Sequence, residues 1–235
     1  MLIIRKKRQL EMAIQSIPSH PNPDVSLEQY STPATIASDI LWNAYTLDDI
    51  ESRTICDLAC GTGIFGISSI LINGKYAVGI DIDTESLSIG CVTASKMDIP
   101  SFYKGVSREN IDLNKPYIEF VKGDITSISS MDQLDSVSNL ERFETLIQNP
   151  PFGSQEKTKK GIDRKFIDFA MNSADVIYSF HMRSTEEFIS NYFEKLGGKI
   201  THKFHYKFPI KKIYDFHKKE SKDVDVVVFR VLNID

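Results

Sequence analysis

The sequence predicts a single α/β domain built on a mainly parallel sheet of seven strands, with helices on both faces. Three observations predict it. From Thr54 onward, short apolar runs of strand length alternate with longer stretches of helical spacing, a rhythm that calls for crossover connections and a parallel sheet. Runs such as Tyr76–Ile82 read as buried strands. The length of 235 residues suits one such domain with a sizeable core and is short for two.

Taken in order, Met1 to about Gln15 reads as a polar-faced helix ending before Pro18. Ser19–Leu27 follows as a loop with prolines at 21 and 23. Pro33–Tyr45 has helical spacing, with Ile36, Ile40, Leu41 and Ala44 on one side and Pro33 in the first turn. Thr54–Leu58 is a strand running toward Gly61-Thr62-Gly63, and Ile64–Ile72 is an apolar helix stopped by Asn73-Gly74. Glu85–Met97 is a helix with Thr84 as its expected cap. Strands follow at Ile118–Val121, Glu144–Gln148 and Asp175–Phe180. Helices are expected over Arg164–Asn172 and over Thr185–Leu196, the latter ended by Gly197-Gly198. Two closing strands near Lys199–Tyr206 and Val224–Leu232 are expected to pair as an antiparallel edge. Ser101–Lys115 and Ser127–Arg142 read as polar surface insertions.

Composition narrows the setting. No apolar run follows the charged Arg5-Lys6-Lys7-Arg8, and no stretch has the length of a membrane span. A cytosolic protein is expected, or a nuclear one where the source has a nucleus. Cys56, Cys60 and Cys91 fit neither a disulfide framework nor a zinc site, so buried reduced thiols and no metal are expected. The net charge of −4 argues mildly against nucleic acid, but it is unevenly spread. Eight lysines stand between Lys199 and Lys222, against Asp215 and Glu220 alone. A second basic cluster comprises Lys157, Lys159, Lys160, Arg164 and Lys165. A locally basic face is compatible with RNA, and a solvated lysine surface is the bland alternative.

The chemistry begins at Cys60-Gly61-Thr62-Gly63-Ile64-Phe65-Gly66, a G-x-G-x-x-G that follows a strand and opens a helix. Its glycines allow a tight turn against a ligand, and the helix start offers amide donors. Asp81 ends the next strand, where a carboxylate accepts both hydroxyls of an adenosine ribose. On these residues alone a nicotinamide dinucleotide is a serious candidate. Two features shift the weight to S-adenosylmethionine. Asp57 ends the first strand, a placement that suits a cationic ammonium and sulfonium rather than a pyrophosphate. Asp124-Ile125 follows the third strand, where an acid takes an adenine amino proton and the next amide its ring nitrogen.

Asn149-Pro150-Pro151-Phe152 is the sharpest signal, directly after the strand Thr145–Gln148. In an open α/β sheet, ligands bind beyond the carboxyl ends of the strands. An aromatic amine is a poor nucleophile because its lone pair is delocalised into the ring. The Asn149 oxygen and the Pro150 carbonyl accept the two amino hydrogens, which favours a pyramidal nitrogen aimed at the methyl group. Positioning and hydrogen bonding suffice, without a strong base. Pro151 stiffens the turn, and Phe152 is placed to stack on a target base that has left its helix. As a plain turn, Asn-Pro-Pro would need no aromatic neighbour.

With these motifs in hand, the sequence resembles the small-subunit ribosomal RNA adenine-N6 methyltransferases of the methyltransferase-like group and their archaeal relatives. The resemblance runs over nearly the whole chain, through Leu27-Glu28-Gln29-Tyr30-Ser31-Thr32, Asp81-Ile82-Asp83, Asn149-Pro150-Pro151-Phe152-Gly153-Ser154, Tyr178-Ser179-Phe180-His181 and Phe216-His217-Lys218-Lys219. It implies a Rossmann-like class I methyltransferase fold in which residues 1–50 supply helices and a cofactor-closing loop, and residues 51–235 the core. Gln29, Tyr30 and Thr32 would close over S-adenosylmethionine. Asp57, Gly61 and Gly63 belong to the cofactor loop, where Ala59, Thr62 and Ile64 would line the methionine moiety. Asp81 would hold the ribose, and Asp124 with Ile125 the adenine. His217, Lys218 and Lys219 would face RNA phosphates. The resemblance also implies a small zinc-binding activator protein that adds to a sheet edge.

Rival functions remain open at this point. A glutamine-N5 methyltransferase of a translation factor shares the Asn-Pro-Pro logic but usually carries Tyr where Phe152 stands. A DNA adenine methyltransferase needs room for a target-recognition domain, whereas RNA is often read through unpaired bases and shape. A dehydrogenase lacks a suitably placed Tyr-x-x-x-Lys. A catalytically silent scaffold binding RNA or a partner protein is the non-enzymatic alternative.

Overall fold

Among the described residues, eight strands, one more than expected, form a single sheet in the order β3-β4-β2-β1-β5-β6-β8-β7. The computed structural model describes residues 4–23, 30–103, 115–128, 142–151, 161–211 and 221–234. The strands are β1 (Thr54–Leu58), β2 (Tyr76–Asp81), β3 (Ser101–Tyr103), β4 (Tyr117–Lys122), β5 (Phe143–Gln148), β6 (Ala174–Met182), β7 (Gly198–Lys211) and β8 (Ser221–Asn233). The helices are α1 (Lys7–Gln15), α2 (Ala34–Thr46), α3 (Ile64–Leu71), α4 (Thr84–Lys96), α5 (Ile162–Ser173) and α6 (Glu186–Lys195). Strands β1 to β6 pair in parallel, and β8 enters antiparallel between β6 and β7.

Two expectations are corrected here. The eighth strand, β3, lies in a stretch read as a polar insertion. It pairs with β4 from Ser101 to Tyr103 and buries Phe102 edge-on against Tyr117, at 5.7 Å between centroids. The cap of α4 is Asp83 rather than Thr84, because the Asp83 side chain accepts from the Glu85 amide at 3.0 Å. The remainder of both supposed insertions, 104–114 and 129–141, lies outside the described residues.

Alternation along the strands divides the core into two layers. Ile55, Ile147 and Tyr178 face α1, α2, α3 and α4, where Leu10, Leu41, Ile67 and Leu87 are buried. Cys56, Leu146 and Ile177 face α5 and α6, where Phe166, Phe169 and Phe193 fill the space. Strand β1 pairs with β2 on one side and β5 on the other. Strand order therefore reverses at β1, which opens a crevice beyond its carboxyl end and that of β5.

The opposite half of the sheet is tied by a buried charge cluster. Asp49, in the turn after α2, accepts two bonds from Arg230 of β8, at 2.7 and 2.8 Å. The Tyr178 hydroxyl donates to the same carboxylate at 2.6 Å, and Thr145 Oγ1 donates to the Asp49 carbonyl at 2.6 Å. One residue thus fastens α2 to three strands. Burial and the adjacent carboxylate push the Tyr178 phenol far above its ordinary range. Removing one partner of a buried pair strands the other charge, so Asp49→Ala is expected to cost about 3–5 kcal/mol in urea denaturation. Replacing Asp49 and Arg230 together by Leu and Met is expected to cost less, and a single-variant loss below about 1 kcal/mol would contradict this role.

Candidate active site

The glycine loop is shaped by two carboxylates beneath it. Asp57 points to the α3 face of the sheet, where its Oδ2 accepts from the Gly66 amide at 2.7 Å. Asp81 Oδ2 accepts from the Gly61 amide at 2.7 Å, while its Oδ1 accepts from Asp83 N at 2.9 Å. Gly63 starts α3 at φ 85°, a left-handed conformation favouring glycine. At Gly66 a Cβ would lie 2.8 Å from Ile118 Cδ1, so a larger residue there would require the Ile118 side chain to shift. Ala59 sits at φ 58°, which costs a residue with a Cβ about 1–2 kcal/mol.

Asp57 does not face the cleft as expected. It is 1 % exposed, and its Oδ1 is buried without a partner among the described residues. Burial pushes its carboxyl up to about 7, with the Asp81 charge adding and the Gly66 amide opposing. Burial also raises the Asp81 carboxyl and the Cys60 thiol. Cys56, Cys60 and Cys91 are free thiols.

Above this floor opens a cleft of about 330 Å³. Tyr30, Thr32, Ala59, Gly61, Thr62 and Ile64 line it, together with Asp81, Asp124 and Ile125, and Asn149 and Pro151 reach it from the end of β5. Asp124 Oδ1 takes the Thr126 amide and hydroxyl at 2.8 and 2.7 Å, leaving Oδ2 as the available acceptor. The Asn149 amide is fixed by a bond from Nδ2 to Thr32 Oγ1 at 3.0 Å. Its nitrogen is thereby engaged and its oxygen remains as the acceptor. Pro150 is buried, and Gly63 shapes the loop without lining the cleft. Gln29, Phe152 and His217-Lys218-Lys219 lie outside the described residues.

Sequence reasoning missed several lining residues: His20, Ser86, Ile162 and Phe166. Ile162 and Phe166 sit one turn apart at the start of α5, and their spacing reads equally well as core. His20 sits in a proline-rich loop with no periodicity to mark it.

Residues 34–175, more than half of the chain, match the family model described as "Methyltransferase small domain". The chain belongs to this family. An uncharacterized protein of Methanocaldococcus jannaschii is 37 % identical over 227 residues, covering 96 % of this chain and 94 % of the relative. The rRNA N(6)-adenosine-methyltransferase METTL5 of Danio rerio is 32 % identical over 229 residues, covering 96 % and 98 %. The crystal structure of PH1948 from Pyrococcus horikoshii superposes with a TM-score of 0.75 at 29 % identity, covering 98 % of each chain. The fold is that of a class I S-adenosylmethionine-dependent methyltransferase, and S-adenosylmethionine is the cofactor. The cleft fits it: Asp81 and Asp124 bring carboxylate acceptors to a lining of small and apolar residues, a chemistry suited to a nucleoside.

The raised Asp57 carboxyl has a consequence for stability. Between its unfolded value near 4 and its folded value near 7, only the folded chain holds the proton. The Asp57 contribution is therefore present at low pH and lost as pH rises through that window. Asp57→Asn removes this component, so the variant's stability relative to the parent is expected to improve by about 1–3 kcal/mol from pH 5 to pH 7. Urea denaturation of both ligand-free proteins at the two pH values checks it, and parallel pH dependences would contradict the placement.

Proposed function

We propose that this chain transfers the methyl group of S-adenosylmethionine to the N6 amine of an adenosine in small-subunit ribosomal RNA. The fixed Asn149 amide carries this reading. With Nδ2 engaged by Thr32, Oδ1 presents a preset acceptor at the end of β5. The Pro150 carbonyl is the natural second acceptor for a primary amine. Accepting both hydrogens draws the nitrogen lone pair out of conjugation, at a site whose geometry is set before the base arrives. When bound, the cofactor supplies an electrophilic methyl on a sulfonium. Asp81 and Asp124 hold its nucleoside, and Gln29, Tyr30 and Thr32 are assigned to close over it. Phe152 stacks on the extruded adenine.

The hairpin of β7 and β8 supports RNA as the substrate. Strand β6 ends at Met182, which pairs with Val226, itself opposite Tyr206. The hairpin continues to the Lys211–Ser221 pair, five residues past that point. Strand β7 runs parallel to β6, so this arm projects from the same edge of the sheet as Asn149. It carries Lys207, and His217, Lys218 and Lys219, which follow β7 in sequence, are assigned to phosphate contacts. The name of the zebrafish relative supports an adenosine of rRNA, and small-subunit rRNA is the specific target inferred here.

A small zinc-binding activator is inferred as partner, adding a strand to the open edge at β3. Beside that edge Cys91 Sγ meets Ser101 Oγ at 3.5 Å, and the adjacent Val92 is 52 % exposed. No described helix is long and apolar enough to cross a membrane, and the proposed place of work is the cytoplasm, or the nucleus in a source that has one.

Labelled methyl transfer to total RNA, DNA and protein in parallel, with and without a candidate activator, tests the proposal. Label is expected in small-subunit rRNA, recovered as N6-methyladenosine. Label in protein would instead indicate the glutamine reaction, and cofactor binding without any transfer would indicate a scaffold. Asn149→Ala is expected to abolish transfer while cofactor affinity stays within roughly threefold, since that side chain serves the target amine. Collapse of cofactor binding in the variant would refute the assigned role.

A further inference from the structure

The segment after α1 borders the cofactor cleft. It is tied down at Pro18, whose carbonyl accepts the Thr62 hydroxyl of the glycine loop at 2.8 Å. His20 follows and lines the cleft, with its side chain 9 % exposed. Its Nδ1 accepts the Asn22 amide at 3.0 Å, so a single ring proton resides on Nε2. That Nε2 lies 3.2 Å from Asp83 Oδ2 and 3.4 Å from Glu85 Oε2, yet it is aligned with neither as a hydrogen bond. The Asp83 carboxylate is already engaged by α4, taking the Glu85 amide at 3.0 Å and the Ser86 hydroxyl at 2.7 Å. His20 is thus a buried donor short of a straight acceptor, in a wall of the cleft.

Its position identifies which part of the ligand it meets. Asp83 donates its amide to Asp81 Oδ1 at 2.9 Å, and Ser86 and Asp81 line the cleft together with His20. This is the end at which Asp81 accepts from ribose hydroxyls. A hydroxyl that donates to a carboxylate still has lone pairs to offer, and an imidazole N–H complements them.

We propose that His20 is a further cofactor-binding residue whose Nε2–H donates to a ribose hydroxyl of S-adenosylmethionine, carried there by the strap Pro18–Pro23. The proposal rests on Asp81 holding the ribose. Nothing in the motifs of the glycine loop or of Asn149-Pro150-Pro151 calls for a histidine here, and the role follows from the strap alone.

Calorimetric titration with S-adenosylhomocysteine and with its 2′,3′-dideoxyribose analogue tests it without any methyl transfer. His20→Phe keeps an aromatic ring and lacks the donor. It is expected to weaken S-adenosylhomocysteine binding roughly tenfold and to leave the dideoxy analogue within about twofold. His20→Gln, which restores an N–H donor, is expected to recover most of the loss. Thermal unfolding of the ligand-free variants should match the parent. Equal losses with both ligands would reduce His20 to a clasp on Asp83 and Glu85 and overturn the proposal, as would unchanged affinity. If the parent binds both ligands equally well, the premise that Asp81 holds the ribose fails, and the proposal falls with it.

Discussion

The hydrogen bond from Asn149 Nδ2 to Thr32 Oγ1 joins two parts of the chain 117 residues apart. One end belongs to the segment that leads into α2, the other to the residue that follows β5. A primary amide has two faces of opposite chemistry, and a flipped Asn149 would offer the target amine a donor instead of an acceptor. With Nδ2 on Thr32, Oδ1 is the atom left to face the target amine. The N-terminal segment thus contributes directly to the placement of the Asn149 amide. The proposed orientation of the target amine depends on this contact.

Preorganisation of this kind requires a rigid support, and the sheet supplies it from two directions. Asp57 and Asp81 hold the glycine loop from below through the Gly66 and Gly61 amides. At the far side, Asp49 binds the turn after α2 to Arg230, Tyr178 and Thr145. Since α2 begins just after Thr32, that clamp also fixes one end of the segment bearing the Asn149 partner. Behind the catalytic strand, Gln148 Nε2 donates to Ser179 Oγ at 2.8 Å, and Ser179 lies 2.6 Å from His181 Nε2. Burial drives the His181 imidazole down to about 3, so it stays neutral and serves the interior rather than the reaction.

Much of this was legible in the sequence where a period or a spacing expressed it. The alternation of apolar strands and helices gave the sheet, and the residues after β1, β2, β4 and β5 gave the cleft, because each lies at a carboxyl strand end. What escaped has physical reasons. Strand β3 spans three residues, too few to show a period among polar neighbours. Asp83 and Thr84 are both good caps, and only side-chain geometry decides between them. Asp57 was read as facing a ligand, but it shares a face of β1 with Ile55 and turns under α3 to meet Gly66. His20 belongs to a strap whose course depends on one long-range bond to Thr62, which no local pattern encodes.

The account stands on the Asn149 oxygen as acceptor for the target amine, and Asn149→Asp tests this most directly. The variant keeps an oxygen acceptor, and Thr32 can donate to the carboxylate in place of accepting. Single-turnover methyl transfer to the RNA substrate, measured with the cofactor saturating, is predicted to remain well above that of the alanine variant. If the aspartate variant falls to the same floor as alanine, acceptance by that oxygen is not what drives the reaction, and the proposed chemistry of the site is wrong.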